Sequence, residues 1–321
     1  MWRENDGSSR ARPGAAFWKI SCAGAAFQAG ASAVDSGTIV AALVYALTGN
    51  VYAVGMASAV IRLGWLSPQI VMGVLAQRAD RRMPYYIVGA FGRAGCLAAI
   101  AMLLWLAAEP AAEWLAIGFL SIWTLYAFVS GVVAVPYNDI VGRSIPSAIR
   151  SRMLALRFFV GGVLAIVVAA IVHHLLAILP LAHAYATIFA LASALMVLSS
   201  MSFVSAGEPP ISAARQKTDE GFAAFLKHGR LVLFNDRRFR LFLYTQWLGG
   251  ATLMTLPFYV VALSTLGLET QAVALMLGAQ TAGSLASNAV WGQIGDRFGK
   301  LRLLQVVGVI RIVPQTMTLA L

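Results

Sequence analysis

Long apolar runs alternate with short polar connections along most of the chain. Nine of these runs reach the roughly 18 residues that mark a candidate membrane helix. They cover Ser21–Leu47, Val51–Ala76, Tyr85–Ala108, Trp114–Pro136, Met153–Leu179, Ala184–Phe203, Leu241–Leu263, Gln271–Trp291 and Leu303–Leu321. A backbone in lipid must satisfy its own hydrogen bonds, so the pattern predicts a helix in each run. Ala, Gly and Ser dilute the first two. Ala23–Ala33 has the small residues of a leader cleavage region, but charges precede it and further spans follow it, so it reads as part of the first span.

Composition narrows the class. Of the 321 residues, 60% are apolar and 12% charged, with a mean hydropathy of +0.77. A soluble domain is about half apolar and a quarter charged, so soluble, disordered and disulfide-scaffold readings are excluded. The net charge of +11 would suggest nucleic acid in a soluble protein. Its distribution says otherwise. With the N-terminus on the cytoplasmic side, 21 of the 24 Lys and Arg fall in cytoplasmic segments and none in the outer connections. That asymmetry is the orientation signal of membrane proteins, and no nucleic-acid partner is expected. The outer connections carry Glu109, Glu113 and Glu269 instead. The expected location is the plasma membrane, the inner membrane of a bacterial cell, with the lipid bilayer as partner. Cys22 and Cys96 lie in apolar stretches and are expected as reduced thiols packed like small hydrophobes.

The longest polar stretch divides six spans from three. Residues 1–20 read as a cytoplasmic N-terminal segment, 21–204 as a six-helix half, 205–240 as a cytoplasmic linker, and 241–321 as three helices of an incomplete second half. Within the linker, apolar Phe222, Phe225, Leu226 and Leu233 alternate with Lys227 and Arg230. This suits a short helix on the inner membrane surface, and equally an ordinary solvated linker. Sliding the chain on itself by 219 residues brings Phe239 onto Ile20, Gly292 onto Gly73 and Arg297 onto Arg78. Internal repeats of this kind are common in secondary transporters.

The strongest local signal is Gly292-Gln293-Ile294-Gly295-Asp296-Arg297-Phe298-Gly299-Lys300, between the eighth and ninth runs. A degenerate copy, Gly73-Val74-Leu75-Ala76-Gln77-Arg78-Ala79-Asp80-Arg81-Arg82, occupies the equivalent place in the first half. Both resemble the cytoplasmic loop signature of the major facilitator superfamily, Gly-x-Leu-Ala-Asp-Arg-x-Gly-Arg-Lys. In the first copy Gln77 replaces the acid and Asp80 the second glycine. The resemblance covers almost the whole chain. It implies an all-α polytopic membrane protein, a helical bundle of two pseudo-symmetric halves. It further implies a secondary active transporter that moves a small solute by alternating access, coupled to protons or another solute.

The resemblance also implies a cytoplasmic gate built from Gly73, Arg78, Asp80, Arg81, Gly292, Asp296, Arg297, Gly299 and Lys300. Asp296 is then expected to meet the helix N-terminus near Met153, where the helix dipole favours an anion, together with one of Arg150, Arg152 or Arg157. Several departures stand out. The fourth run has no charged residue, and the fifth has Gly161-Gly162 without the extended pattern of drug/proton antiporters. Nine runs replace the family's usual twelve, so the expectation is either a fragment or an inactive copy. The alternative reading is a non-transporting protein of the same fold, such as a sensor or assembly factor.

Apart from Arg157, counted with the cytoplasmic cluster at the start of the fifth run, four charges fall inside spans. Asp35 is expected near the middle of the first, facing the interior as a proton-titrating or substrate-pairing carboxylate. Arg62, Arg93 and Arg311 are the basic counterparts. Arg93 and Arg311 are approximate repeat-mates, and guanidinium pairs suit an anionic solute. Asp139 and Arg143 are spaced to pair on one helix end. His173, His174 and His183 are poorly placed to share a metal, and no metal or cofactor is expected. Trp2, Trp18, Trp114, Trp123 and Tyr137 read as interfacial aromatics, and Pro136, Pro257 and Pro314 as kinks or ends of spans. No nucleotide-binding loop and no nucleophile–base set occurs, so the chain is not expected to be an enzyme.

Overall fold

The computed structural model describes residues 14–107, 113–210 and 221–265, and short stretches of the remainder as far as residue 316. Among the described residues the chain is helical and has no strand. The helices are α1 (Ala15–Ala33), α2 (Ile39–Thr48), α3 (Val51–Arg78), α4 (Met83–Trp105), α5 (Glu113–Ser144), α6 (Ser147–Ile178), α7 (Leu181–Ala206), α8 (Phe222–Asn235), α9 (Arg237–Leu253) and α10 (Leu256–Thr265).

Helices α3 to α7 are each long and apolar enough to cross a bilayer, and they match the second to sixth expected spans. The first expected span is not one helix. It breaks at Val34–Thr38, between α1 and α2. The cause is local: Asp35 Oδ1 accepts from the Gly37 N–H at 3.0 Å and from the Thr38 hydroxyl at 2.9 Å. Such side-chain bonds offer the backbone an alternative to the helical ladder. The seventh expected span also breaks, between α9 and α10, with Pro257 in the first turn of α10. The shift of 219 residues lays Met254 on Asp35, so the two breaks are repeat-mates. Pro136, by contrast, ends nothing, and α5 runs through it to Ser144. Most of the eighth and ninth expected spans, with Pro314, lies outside the described residues.

In the bundle, α1 packs against α6 and α7, α4 against α5 and α7, and α3 against α5. Small residues set the α3–α5 spacing. A Cβ on Gly131 would stand 2.6 Å from the Gly64 carbonyl oxygen and 2.8 Å from that of Trp65. Glycine allows backbones to approach this closely, where lipid supplies no hydrophobic drive between helices. Hydroxyls of α7 add cross-links: Ser193 donates to the Ala94 carbonyl at 2.8 Å and Ser199 to the Ala23 carbonyl at 2.7 Å.

The aromatic residues divide. Trp18 and Trp114 are exposed, as interfacial residues should be. Trp123 is 1% exposed and corrects the interfacial expectation. It stacks between Phe119 and Tyr126 and donates its indole N–H to the Ala57 carbonyl at 3.1 Å. Both cysteines are free. Cys96 is buried as expected, whereas Cys22 faces outward from α1.

Candidate functional site

A series of cavities runs along the inner face of the bundle. One, of about 200 Å³, is lined by Gly24 and Phe27 of α1, Tyr86 and Arg93 of α4, Tyr137 of α5 and Arg157 of α6. A second, of about 300 Å³, shares Phe27, Trp65, Arg93 and Ser130 with it and extends to Ser36 and Arg62. A third, of about 640 Å³, joins Asp35 and Arg62 to Met254, Leu256, Phe258 and Gln280 from beyond the linker. There the two helix breaks face each other, with an ideal Cβ on Gly37 only 3.3 Å from the Leu256 Cβ.

Arg93 is 5% exposed. Its guanidinium carbon lies 4.6 Å from the centre of the Phe27 ring, and its Nε has no hydrogen-bond partner. Among the described residues, no carboxylate lines either of its two cavities. A buried cation normally has a paired anion, because leaving water costs several kcal/mol per ion. Arg93, expected as a pathway residue, is thus a buried cation with no carboxylate among the described residues that line its cavities.

Arg157, one of the expected partners of the loop motif, projects from α6 about 15 Å along the axis from Ser147. One Nη donates to the Tyr137 hydroxyl at 2.8 Å, and its Nε is buried without a partner. The guanidinium lies 5.4 Å from the Tyr137 ring centre and 6.0 Å from that of Phe27. Arg157 and Arg93 therefore approach the same ring.

Asp35 lies at the break, about 24 Å along α1 from Lys19. It is half-buried and lines the same cavity as the exposed Arg62. The two do not close into an ion pair. Arg62 also faces the cavity of Arg93, so it stands between the cavity of Asp35 and that of Arg93. Arg311 lies outside the described residues.

A separate polar network closes the arginine-rich end. Glu208, just past α7, accepts from the backbone N–H of Arg82 at 2.9 and 3.0 Å and of Met83 at 2.9 Å, so it caps the start of α4. It also accepts from Arg143 at 2.7 Å. Arg143 pairs with Asp139 at 2.9 Å, the spacing expected from sequence, and donates to the Pro209 carbonyl. Arg82 is 2% exposed, lies 3.3 Å from Asp139 and donates to the Ala79 carbonyl. Burial alone would raise the Glu208 pKa, but the hydrogen bonds from Arg82, Arg143 and Met83 hold it below the usual range.

Sequence alone did not single out Glu208, and Arg82 stood only as the last residue of the degenerate loop motif, because their partners are far along the chain. The available signal was Glu208 beside Pro209-Pro210, directly after an apolar run. Arg78, Asp80 and Arg81 are exposed near this network, Arg78 and Asp80 with polar or charged contacts, and Gly73 is half-buried in the last turns of α3. Arg150 donates to the Gly142 and Ile145 carbonyls at 2.8 and 3.0 Å, which caps α5, and Arg152 is exposed. Gly292, Asp296, Arg297, Gly299 and Lys300 lie outside the described residues. No group of three metal-binding side chains occurs among the described residues.

The family model described as Major Facilitator Superfamily matches residues 12–320. Among solved structures, the chain is similar to the xylose transporter XylE from E. coli in a partially occluded inward-open conformation. The TM-score is 0.61 at 16% identity, over 89% of this chain and 73% of that one. No curated protein sequence matches significantly. A family match over nearly the whole length, on a helical bundle of the same fold, is sufficient for assignment: the chain belongs to the major facilitator superfamily.

Proposed function

We propose that the chain moves a small anionic solute across the membrane by alternating access, driven by a proton or solute gradient. The observation that carries this reading is Arg93, buried against a cavity of about 200 Å³ with its Nε unpaired and no carboxylate among the described residues that line it. A guanidinium so placed is a ready partner for carboxylate or phosphate. The cavities of about 200 and 300 Å³ suit a metabolite rather than a drug-sized molecule.

In this reading Arg62 and Arg93 guide the anion and Arg311 is their counterpart in the second half. Asp35, the acid of the pathway, carries the coupled proton. The broken first and seventh spans form the outer gate, since α10 packs on α2 and α3. The loop motifs form the inner gate, with Asp296 latching onto the start of α6 near Arg150 and Arg152. The protein sits in the inner membrane with its arginine-rich end in the cytoplasm.

The test is solute-driven current from proteoliposomes on a solid-supported membrane, over a panel of organic anions and neutral sugars. The expected result is a current with at least one anion that Arg93→Gln abolishes. Current with sugars alone, unchanged by Arg93→Gln, overturns the proposal.

A further inference from the structure

The cavity between α1, α4, α5 and α6 contains two cations, not one. Arg93 and Arg157 both lie against Phe27, at 4.6 and 6.0 Å from its centre, and each has a buried, unpartnered Nε. Among the described residues no carboxylate lines this cavity, and the ring that both side chains approach is neutral. Two like charges in a low-dielectric space repel each other, and a ligand of opposite charge relieves that repulsion. One negative charge would offset only one of the cations.

Arg157 reaches this position through a gap in α1. A Cβ built on Gly24 would stand 2.3 Å from Arg157 Cδ and 2.5 Å from its Cγ and Nε. Atoms do not approach so closely, so any side chain at position 24 must push the stem of Arg157 aside. Tyr137 then fixes the far end, accepting from Nη1 at 2.8 Å. Four of the five guanidinium N–H donors remain for other partners. The glycine and the tyrosine thus orient a cation that the bundle itself does not neutralise.

We infer that this cavity binds a compact dianion, with Arg157 as the second cationic ligand beside Arg93 and Gly24 as the residue that admits Arg157. The inference rests on the anion reading above and narrows its substrate class to small dicarboxylates or phosphates. It also gives Arg157 a role in binding rather than in the cytoplasmic latch.

The purified full chain in detergent is titrated calorimetrically with succinate, butyrate, inorganic phosphate and D-xylose. Succinate and butyrate share a four-carbon skeleton and differ by one carboxylate. The expected result is succinate, phosphate or both binding at least tenfold more tightly than butyrate. Arg157→Gln should lower dianion affinity at least tenfold more than butyrate affinity, and Arg157→Lys should restore part of the loss. Gly24→Ala should reproduce the Arg157→Gln loss with an unchanged elution profile, and adding it to Arg157→Gln should cost nothing further. Phosphate binding without succinate binding would place both charges on one group and still support the inference.

Butyrate binding as tightly as the dianions, lost in Arg93→Gln but indifferent to Arg157→Gln, would overturn the dianion inference and leave the anion reading standing. Binding of D-xylose alone, or of none of the four probes, would overturn both. If Gly24→Ala fails to fold, the comparison of Arg157→Gln with Arg157→Lys decides the question by itself.

Discussion

The contact between α3 and α5 gives the sharpest stability prediction. Gly131→Ala would place a methyl carbon 2.6 Å from the Gly64 carbonyl oxygen, 2.8 Å from that of Trp65 and 2.9 Å from Pro68 Cδ. Carbon–oxygen contacts in close helix pairs normally settle near 3.3–3.6 Å, so the two backbones must separate by about 0.7 Å or more. None of the obstructing atoms belongs to a side chain that could rotate away. Overpacking of this kind typically costs about 1–3 kcal/mol, and a rigid backbone obstacle puts the substitution at the upper end. The close Cα–H···O contacts along the seam weaken at the same time, for about 0.5–1 kcal/mol each. A net loss of about 3 kcal/mol follows, equivalent to about 5–10 °C in apparent Tm at a few degrees per kcal/mol. The assay is a thermal ramp of detergent-solubilised protein read by the monomer peak in size-exclusion chromatography. Gly95→Ala is the control, because a Cβ there meets nothing within 4 Å. It should be neutral or raise the midpoint slightly, since alanine in a helix interior is better by about 0.5–1 kcal/mol. A Gly131→Ala midpoint within 2 °C of wild type (on the order of 1 kcal/mol) would refute the packing argument, as would an equal fall in Gly95→Ala.

Other outcomes follow from the same structure. Glu208 has a pKa below its ordinary value of 4.5, so its stabilising contribution is complete above that value and lost as pH falls through the lowered one. Glu208→Gln should therefore reduce thermal stability at pH 7 and flatten its decline below pH 4.5, as midpoints measured across a pH series would show. Trp123→Phe removes the donor to the Ala57 carbonyl and leaves a small void, costing about 1–3 kcal/mol in the same ramp; an unchanged midpoint would mean the indole bond contributes nothing. Asp35→Asn should abolish uptake into proteoliposomes or its dependence on pH. Transport with an unaltered pH profile would remove Asp35 from the mechanism.

The spans from α3 to α7 were legible because apolar length is a strong signal and the connections between them are short and polar. The break at Asp35 was present in the sequence as Asp-Ser-Gly-Thr, a turn composition inside an apolar run. Run-counting passes over it, since five residues do not interrupt a window of eighteen or more. Trp123 misled because composition places a tryptophan at a depth but not on a face, and only the packing of α3 on α5 turns it inward. Arg157 was grouped with Arg150 and Arg152 by proximity in sequence. Two further helical turns carry it from the rim of the bundle into the cavity, and only the glycine on a different helix makes room for it there. Arg93 was legible as a charge within a span. The absence of an acid beside it was not, because that depends on which helices surround it.

The ties between α1 and α7 also have a consequence in time. The Ser199 hydroxyl bonds to Ala23 across 176 residues of chain, Ser202 to Lys19 across 183, and Lys19 to Ser205 across 186. A ribosome adding about 5–20 residues per second needs about 9–35 s to make the later partner after the earlier one. During that interval α1, with the Asp35 break at its end, resides in the membrane with its most extensive partners unmade. The first half therefore cannot close stepwise from its N-terminus, and its assembly waits on the last helix of the half. Any factor that shields nascent spans would have to hold α1 for that long, so substitutions on the α7 serines should first appear as reduced yield in the membrane, before any change in the behaviour of the finished protein.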